Sequence, residues 1–281
     1  MFNSDQGKEE KNIKAIAIGL FLIALISAIT IFKSNSEKKT SFKNNQEAAV
    51  VKPTEIDPAK IGKITSTELA KKIQTNHEEL ILVDFRDTNS YKNEHIVDSI
   101  NMPVSDIASF PQVVAKNKTC ILIQKSEEMI LIGDIADILS ALGYTNLFYL
   151  DGGFESWKNN FNPTISDGDQ NSFADQAKVR YITSDDLKRI LATEKNLVII
   201  DARKSDEFST GHIAAATNIF LDDIEKRRKE LPLNKTIIIY TDTALGAFKG
   251  AARLFDLGFS NTFALSDGLD TWKTKGYELT K

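Results

Sequence analysis

The chain has a single cysteine, Cys120, in 281 residues. An intramolecular disulfide needs two and a multi-cysteine metal site needs more, so both are excluded. Net charge is also scarce, −4 at neutral pH. Such a balance gives no global attraction to polyanions, and no nucleic-acid partner is expected. Neither a metal nor an organic cofactor is expected. What is present is an ordinary globular mixture, 42% hydrophobic and 26% charged residues, in a length that fits two domains with a core in each.

One long hydrophobic run stands out. Ala15 to Phe32 is 18 residues without a charge, which at helical rise spans roughly 27 Å, close to the thickness of a bilayer core. It reads as a single-pass anchor in contact with membrane lipid through residues 15–32, after a tail of residues 1–14. A secretory signal is the competing reading, but the run is longer than the usual apolar region and its cleavage site is poor, with Ile26 two residues before Ala28. Lysines flank both ends, Lys8, Lys11 and Lys14 before and Lys33, Lys38, Lys39 and Lys43 after, so the positive-inside count does not set the orientation. A short tail before the span and all the folded mass after it is the layout of an anchor that leaves its domains extracytoplasmic. Residues 33–60, rich in Lys, Ser, Asn and Glu, have the composition of a solvated stalk.

The rest is an internal repeat. KITSTELAKKI at Lys63 matches YITSDDLKRIL at Tyr181, and LVDFRDTNSYKNEHIVDSIN from Leu82 matches IIDARKSDEFSTGHIAAATN from Ile199. Asp84 and Asp201, His95 and His212, and Asn101 and Asn218 are each 117 residues apart. Further on, Gly143 with Gly258 and Trp157 with Trp272 are 115 apart, so one loop of the first copy is two residues longer. Two copies of one domain follow, residues 61–160 and 178–281, joined by a polar linker, 161–177.

Each copy alternates strand and helix. Thr65 with Glu68, and Thr183 with Asp186, are helix starts of the capping-box kind. LILVDF and LVIIDA are buried strands by composition. The pattern implies a parallel α/β sheet with helices on both faces. In both copies a third strand enters a polar loop that opens a helix, with apolar residues recurring at Leu131, Ile135, Ile138 and Leu142, and at Ala247, Ala251 and Leu254. Helix-start amides pointing into such a loop favour an anion or a thiolate.

The segments VDFRDTNSYKNEHIVDSINMP and IDARKSDEFSTGHIAAATNI, each followed by a glycine and tryptophan turn (LDGGFESW, SDGLDTW), resemble the signature of the rhodanese-like sulfurtransferase domain. The first copy departs from it with Glu94 where the family has glycine. The resemblance covers roughly residues 61–281 and implies two tandem five-stranded domains. It also implies a cysteine at the first loop position, whose thiolate carries sulfur as a persulfide. Here those positions are Gln124 and Thr241, so neither copy is expected to run that chemistry. In two-domain members the second copy usually keeps the cysteine, which makes Thr241 the informative loss.

The candidate binding loops are Gln124, Lys125, Ser126, Glu127, Glu128 and Met129, and Thr241, Asp242, Thr243, Ala244, Leu245 and Gly246. Glu127, Glu128 and Asp242 are placed to cap the loop amides and repel an anionic donor, with Lys125 offsetting part of that charge. The family's cationic loop end is missing, with Met129 and Gly246 near its place. Asp84 with Arg86 and Asp201 with Arg203 read as strand-end ion pairs, and His95 and His212 as framework residues. Trp157 and Trp272 read as packing anchors. Cys120 aligns with Ile237 and reads as strand core; a catalytic Cys120 would need a shifted strand. The run EKRRKE, Glu225–Glu230, absent from the first copy, reads as a solvated face, with a partner or phosphate contact by Lys226 to Lys229 as the alternative. Two functions remain: a tethered, non-catalytic pair that binds an unidentified protein partner or ligand, or an enzyme, either a sulfurtransferase of the thiosulfate or mercaptopyruvate type with a non-standard nucleophile such as Cys120 or a hydrolytic use of Thr241 and its neighbours.

Overall fold

The computed structural model describes residues 61–126 and 130–281. The tail, the expected anchor at 15–32 and the stalk lie outside the described residues, as do Glu127, Glu128 and Met129. Among the described residues no helix is long and apolar enough to cross a membrane.

The strands in chain order are β1 (Gly62–Ile64), β2 (Leu80–Asp84), β3 (Glu94–Ile96), β4 (Ile100–Asn101), β5 (Thr119–Ile123), β6 (Leu147–Leu150), β7 (Thr164–Ser166), β8 (Arg180–Ile182), β9 (Leu197–Asp201), β10 (Ala216–Asn218), β11 (Thr236–Tyr240) and β12 (Thr262–Leu265). They form two parallel five-stranded sheets of the same order, β1-β6-β5-β2-β4 and β8-β12-β11-β9-β10. The central strands carry continuous apolar runs because both their faces are covered. In β5, Cys120 and Leu122 enter one core and Ile121 and Ile123 the other; in β11, Ile237 and Ile239 divide from Ile238 and Tyr240 in the same way. Side chains alternate across a strand, so a continuous apolar run means helices on both sides.

The helix starts read from sequence form. Thr65 accepts from the Glu68 amide at 3.2 Å while the Glu68 carboxylate accepts from the Thr65 amide at 2.9 Å. Thr183 accepts from the Asp186 amide at 3.2 Å. After β5 and β11 come the helices Ile130–Ala141 and Ala244–Asp256. The second packs so close to its sheet that a Cβ on Gly250 would meet Ile239 closer than 3.0 Å.

The linker folds back on both domains. Its β7 pairs antiparallel with β3, as His212 bridges Thr280 in the second copy. Asp167 then pairs with Lys249 (2.6 Å) and Arg253 (2.8 Å) of the second domain, and Asp256 accepts from the Ser166 amide and hydroxyl, both at 2.9 Å. The domains also touch directly. Glu225 accepts from the Asp98 amide at 2.6 Å and lies 3.1 Å from His95 Nε2, and Arg228 holds the Asp98 carboxylate with bonds of 2.6 and 2.8 Å. The EKRRKE run is therefore not purely a solvated face, since two of its side chains dock the copies together.

Phe161 is an anomaly. It is left-handed, φ 55°, and 96% exposed, where the matching position of the second copy is Gly276 at φ 72°. A side chain there costs roughly 1–2 kcal/mol, part of which glycine gives back through unfolded-chain entropy. Phe161→Gly is expected to stabilise the first domain by up to about 1 kcal/mol, read as a rise in its urea midpoint. A fall would show that the exposed ring has a packing role.

Candidate functional site

The repeated Asp-x-Arg at the end of β2 and β9 builds the floor beside each loop. Asp84 and Asp201 are both fully buried, and each takes its arginine through Nε and Nη2, the latter at 2.6 Å in both copies. The same Nη2 donates to a backbone carbonyl eight residues on, Glu94 in the first copy and Gly211 in the second, each at 2.8 Å. Glu94 is thus no loss to the fold. Its backbone is ordinary extended chain, φ −165°, and its carboxylate accepts from Thr164 Oγ1 at 2.7 Å and pairs with Lys158.

The histidines sit beside this clamp as framework. His95 stacks on Tyr91 and bonds its carbonyl at 2.9 Å through Nδ1; His212 stacks on Phe208 and bonds its carbonyl at 3.2 Å. The tryptophans are packing anchors with one polar tie, Trp157 Nε1 to Pro163 O (2.8 Å) and Trp272 Nε1 to Glu278 O (3.2 Å).

Each loop begins at the carboxyl end of the strand that pairs with β2 or β9, where ligands of open α/β sheets bind. In the first copy Gln124 is buried at 2% exposure, and its carbonyl accepts from the Phe154 amide at 2.9 Å. Lys125 lies 3.5 Å from Asp87. Asp87 is held down to about 2, chiefly by the Ser90 amide. The Ser126 amide donates to Glu155 Oε2 at 3.0 Å. A carboxylate does cap this loop, but it comes from the helix Gly153–Asn159, which the sequence did not single out.

In the second copy the loop is closed by its own side chains. Thr241 Oγ1 donates to the Thr243 carbonyl at 2.9 Å and accepts from the Thr243 amide at 3.3 Å. Thr243, not Asp242, caps the helix, accepting from the Gly246 amide at 3.3 Å. The expectation that Asp242 caps the amides is corrected: its carboxylate lies 3.4 Å from both Arg203 Nη1 and Lys273 Nζ, drawn there by two cations. Ala244 and Leu245 open the helix, and a Cβ on Gly246 would overlap the Thr241 side chain.

The chemical capacity of this geometry is small. Gln124 has no nucleophilic atom. Among the described residues no side chain is hydrogen-bonded to Thr241 Oγ1, whose proton points at a carbonyl that cannot accept it as a base would. The neighbouring Tyr240 hydroxyl is pushed upward by burial and by Asp201, and accepts from the Ile213 amide at 3.0 Å. No cluster of three or more metal-ligating side chains occurs among the described residues.

Cys120 lies within β5, opposite Ile81 and Leu147, fully buried and four residues from the loop position. Burial pushes its thiol up to about 11, so at neutral pH the thiolate fraction is on the order of 10⁻⁴. The folded chain is expected to react with a disulfide dye at pH 8 far more slowly than the urea-unfolded chain, by about a hundredfold or more. Comparable rates would mean that the strand opens readily.

The profile of the rhodanese-like domain matches residues 65–160 and 183–275, well over half the chain. The chain belongs to the rhodanese-like family, as a tandem pair. It is 27% identical over 108 residues to the Escherichia coli K12 protein YibN, covering 37% of this chain and 75% of that one. It is 28% identical over 83 residues to the thiosulfate sulfurtransferase GlpE of Coxiella burnetii, covering 30% of this chain and 78% of that one. Among solved structures, a thiosulfate sulfurtransferase from Pseudomonas aeruginosa aligns with 78% of this chain at 21% identity and a TM-score of 0.42. The alignment spans 43% of that protein's length.

Proposed function

We propose that this chain is a membrane-tethered, non-catalytic rhodanese-like pair that binds a protein partner. The observation that carries the reading is the Thr241 hydroxyl, turned onto the backbone of its own loop with no side chain among the described residues hydrogen-bonded to it. A buried amide at Gln124 and a buried, protonated Cys120 support it. The tether is residues 15–32 in lipid, with the domains extracytoplasmic and no nucleic acid involved. Resistance of the full chain to carbonate extraction from membranes tests the tether, and its release into the supernatant would overturn it.

The chemistry is tested by thiocyanate formation from thiosulfate or mercaptopyruvate with cyanide, using the full chain beside Cys120→Ser. No thiocyanate above the uncatalysed rate is expected from either. Turnover that disappears in Cys120→Ser would make Cys120 the sulfur carrier and sink the non-catalytic reading. Turnover retained in Cys120→Ser would equally sink it and point back to the loops.

A further inference from the structure

A cleft of about 340 Å³ lies between the domains, with no residue of either loop in its lining. That size lies within the roughly 300–1,000 Å³ of small-molecule sites. One wall is apolar: Ile73 from the helix Ser66–Asn76, Leu80 and Leu82 of β2, and Val97. The other wall belongs to the second domain and is cationic, formed by Lys226, Arg228 and Lys229. Asp98 also lines the cleft, and its carboxylate is neutralised by Arg228, which is committed to it. Lys226 and Lys229 form no ion pair with any described residue. The carboxylates nearest them in sequence are engaged elsewhere, Glu225 with His95 and the Asp98 amide, and Glu230 with Arg227. His77 completes the lining, and Glu78 and Glu79, which follow it, do not line the cleft.

A second apolar groove on the same molecule gives a comparison. The second domain has a groove over a different part of its sheet, lined by Ile182, Ile190, Leu197, Ile238 and Phe263 with Glu194 beside them. No lysine lines it, and its arginine, Arg180, is stacked 4.0 Å over Phe263. Both grooves have apolar walls, and of the two only the interdomain cleft is lined by a pair of uncommitted ammonium groups.

We infer that the interdomain cleft binds a monomeric alkyl carboxylate of medium chain length. The tail lies against Ile73, Leu80, Leu82 and Val97, and the carboxylate lies between Lys226 and Lys229. An inorganic anion would leave the apolar wall in water, and a neutral hydrocarbon would leave both ammonium groups without a counter-charge. Only a molecule with both parts satisfies both walls. The inference is independent of whether the loops are catalytic.

The test is photolabelling of the full chain with a diazirine-bearing decanoate, mapped by mass spectrometry of its peptides. Label is expected on the peptides carrying Ile73–Leu82 and Val97, competed by decanoate and not by decyltrimethylammonium. Reversal of both exposed charges, Lys226→Glu with Lys229→Glu, is expected to weaken that labelling about tenfold, which equals about 1.4 kcal/mol, while label elsewhere on the chain is unchanged. Equal labelling of the reversed variant, equal labelling of the Ile190–Leu197 peptide, or equal labelling by the corresponding diazirine alcohol would each overturn the proposal. A thermal midpoint within a few degrees of the parent chain confirms that the reversed variant is folded, and Lys226→Gln with Lys229→Gln repeats the test if it is not.

Discussion

Arg203→Ala lowers the stability of the second domain by about 3–5 kcal/mol, the expected cost of leaving a buried carboxylate without its cation. Asp201 is fully buried, and its two oxygens are held by the Arg203 side chain at 2.6 to 3.2 Å. The lost guanidinium also strands the Gly211 carbonyl and one side of Asp242. Lysine does not rescue the loss, because a single ammonium cannot reproduce the planar fork that meets the carboxylate and the carbonyl together. The molecule carries its own reporters, since its two tryptophans fall one in each domain. Urea unfolding followed by Trp272 fluorescence in a Trp157→Phe background reads the second domain alone. A loss below about 1 kcal/mol would mean that water reaches Asp201 once the arginine is gone.

Gly268→Ala is the second large effect. Gly268 has φ 69°, and a Cβ there would stand closer than 3.0 Å to the Asp242 carbonyl oxygen, which belongs to the loop backbone and cannot swing aside. Gly276 has nearly the same conformation, φ 72°, with nothing within 4 Å of the position its Cβ would take. The pair separates two costs. Gly276→Ala is expected to cost about 1–2 kcal/mol, the left-handed penalty alone. Gly268→Ala adds overpacking of a further 1–3 kcal/mol or so, for a total of about 3 kcal/mol or more. Equal losses in the same unfolding measurement would show that the loop backbone yields. The first copy repeats the arrangement, with Gly153 at φ 62° against the Gln124 carbonyl.

The fold was legible because its signals are local or repeated. Capping residues such as Thr65 and Glu68 act within one turn, and the apolar runs of β5 and β11 declare strands covered on both faces. The spacing of Asp84, His95 and Asn101 against Asp201, His212 and Asn218 fixed equivalent positions before any geometry was known. What could not be read were choices among partners far apart in the chain. Glu155 caps the Ser126 amide across 29 residues. Asp242 stands at a helix start, where local electrostatics favours a capping role, yet Arg203 from just past β9 and Lys273 from the helix Gly268–Thr274 draw it away. Glu225 meets His95 across 130 residues, a contact that no period or propensity encodes.

The contact between the copies is one-directional. One face of it is Asp98 with His95 in the first copy, and the other is Glu225 with Arg228 in the second. The second copy has Ala215 in the place of Asp98, and the first has ASFPQV in the place of the run Glu225–Glu230. A head-to-tail contact between identical units would leave a free head and a free tail, ready to recruit the next molecule into a filament. Here the spare ends have been blunted by divergence. With one face on each copy, the contact is complete within a single chain and needs no second molecule to satisfy it.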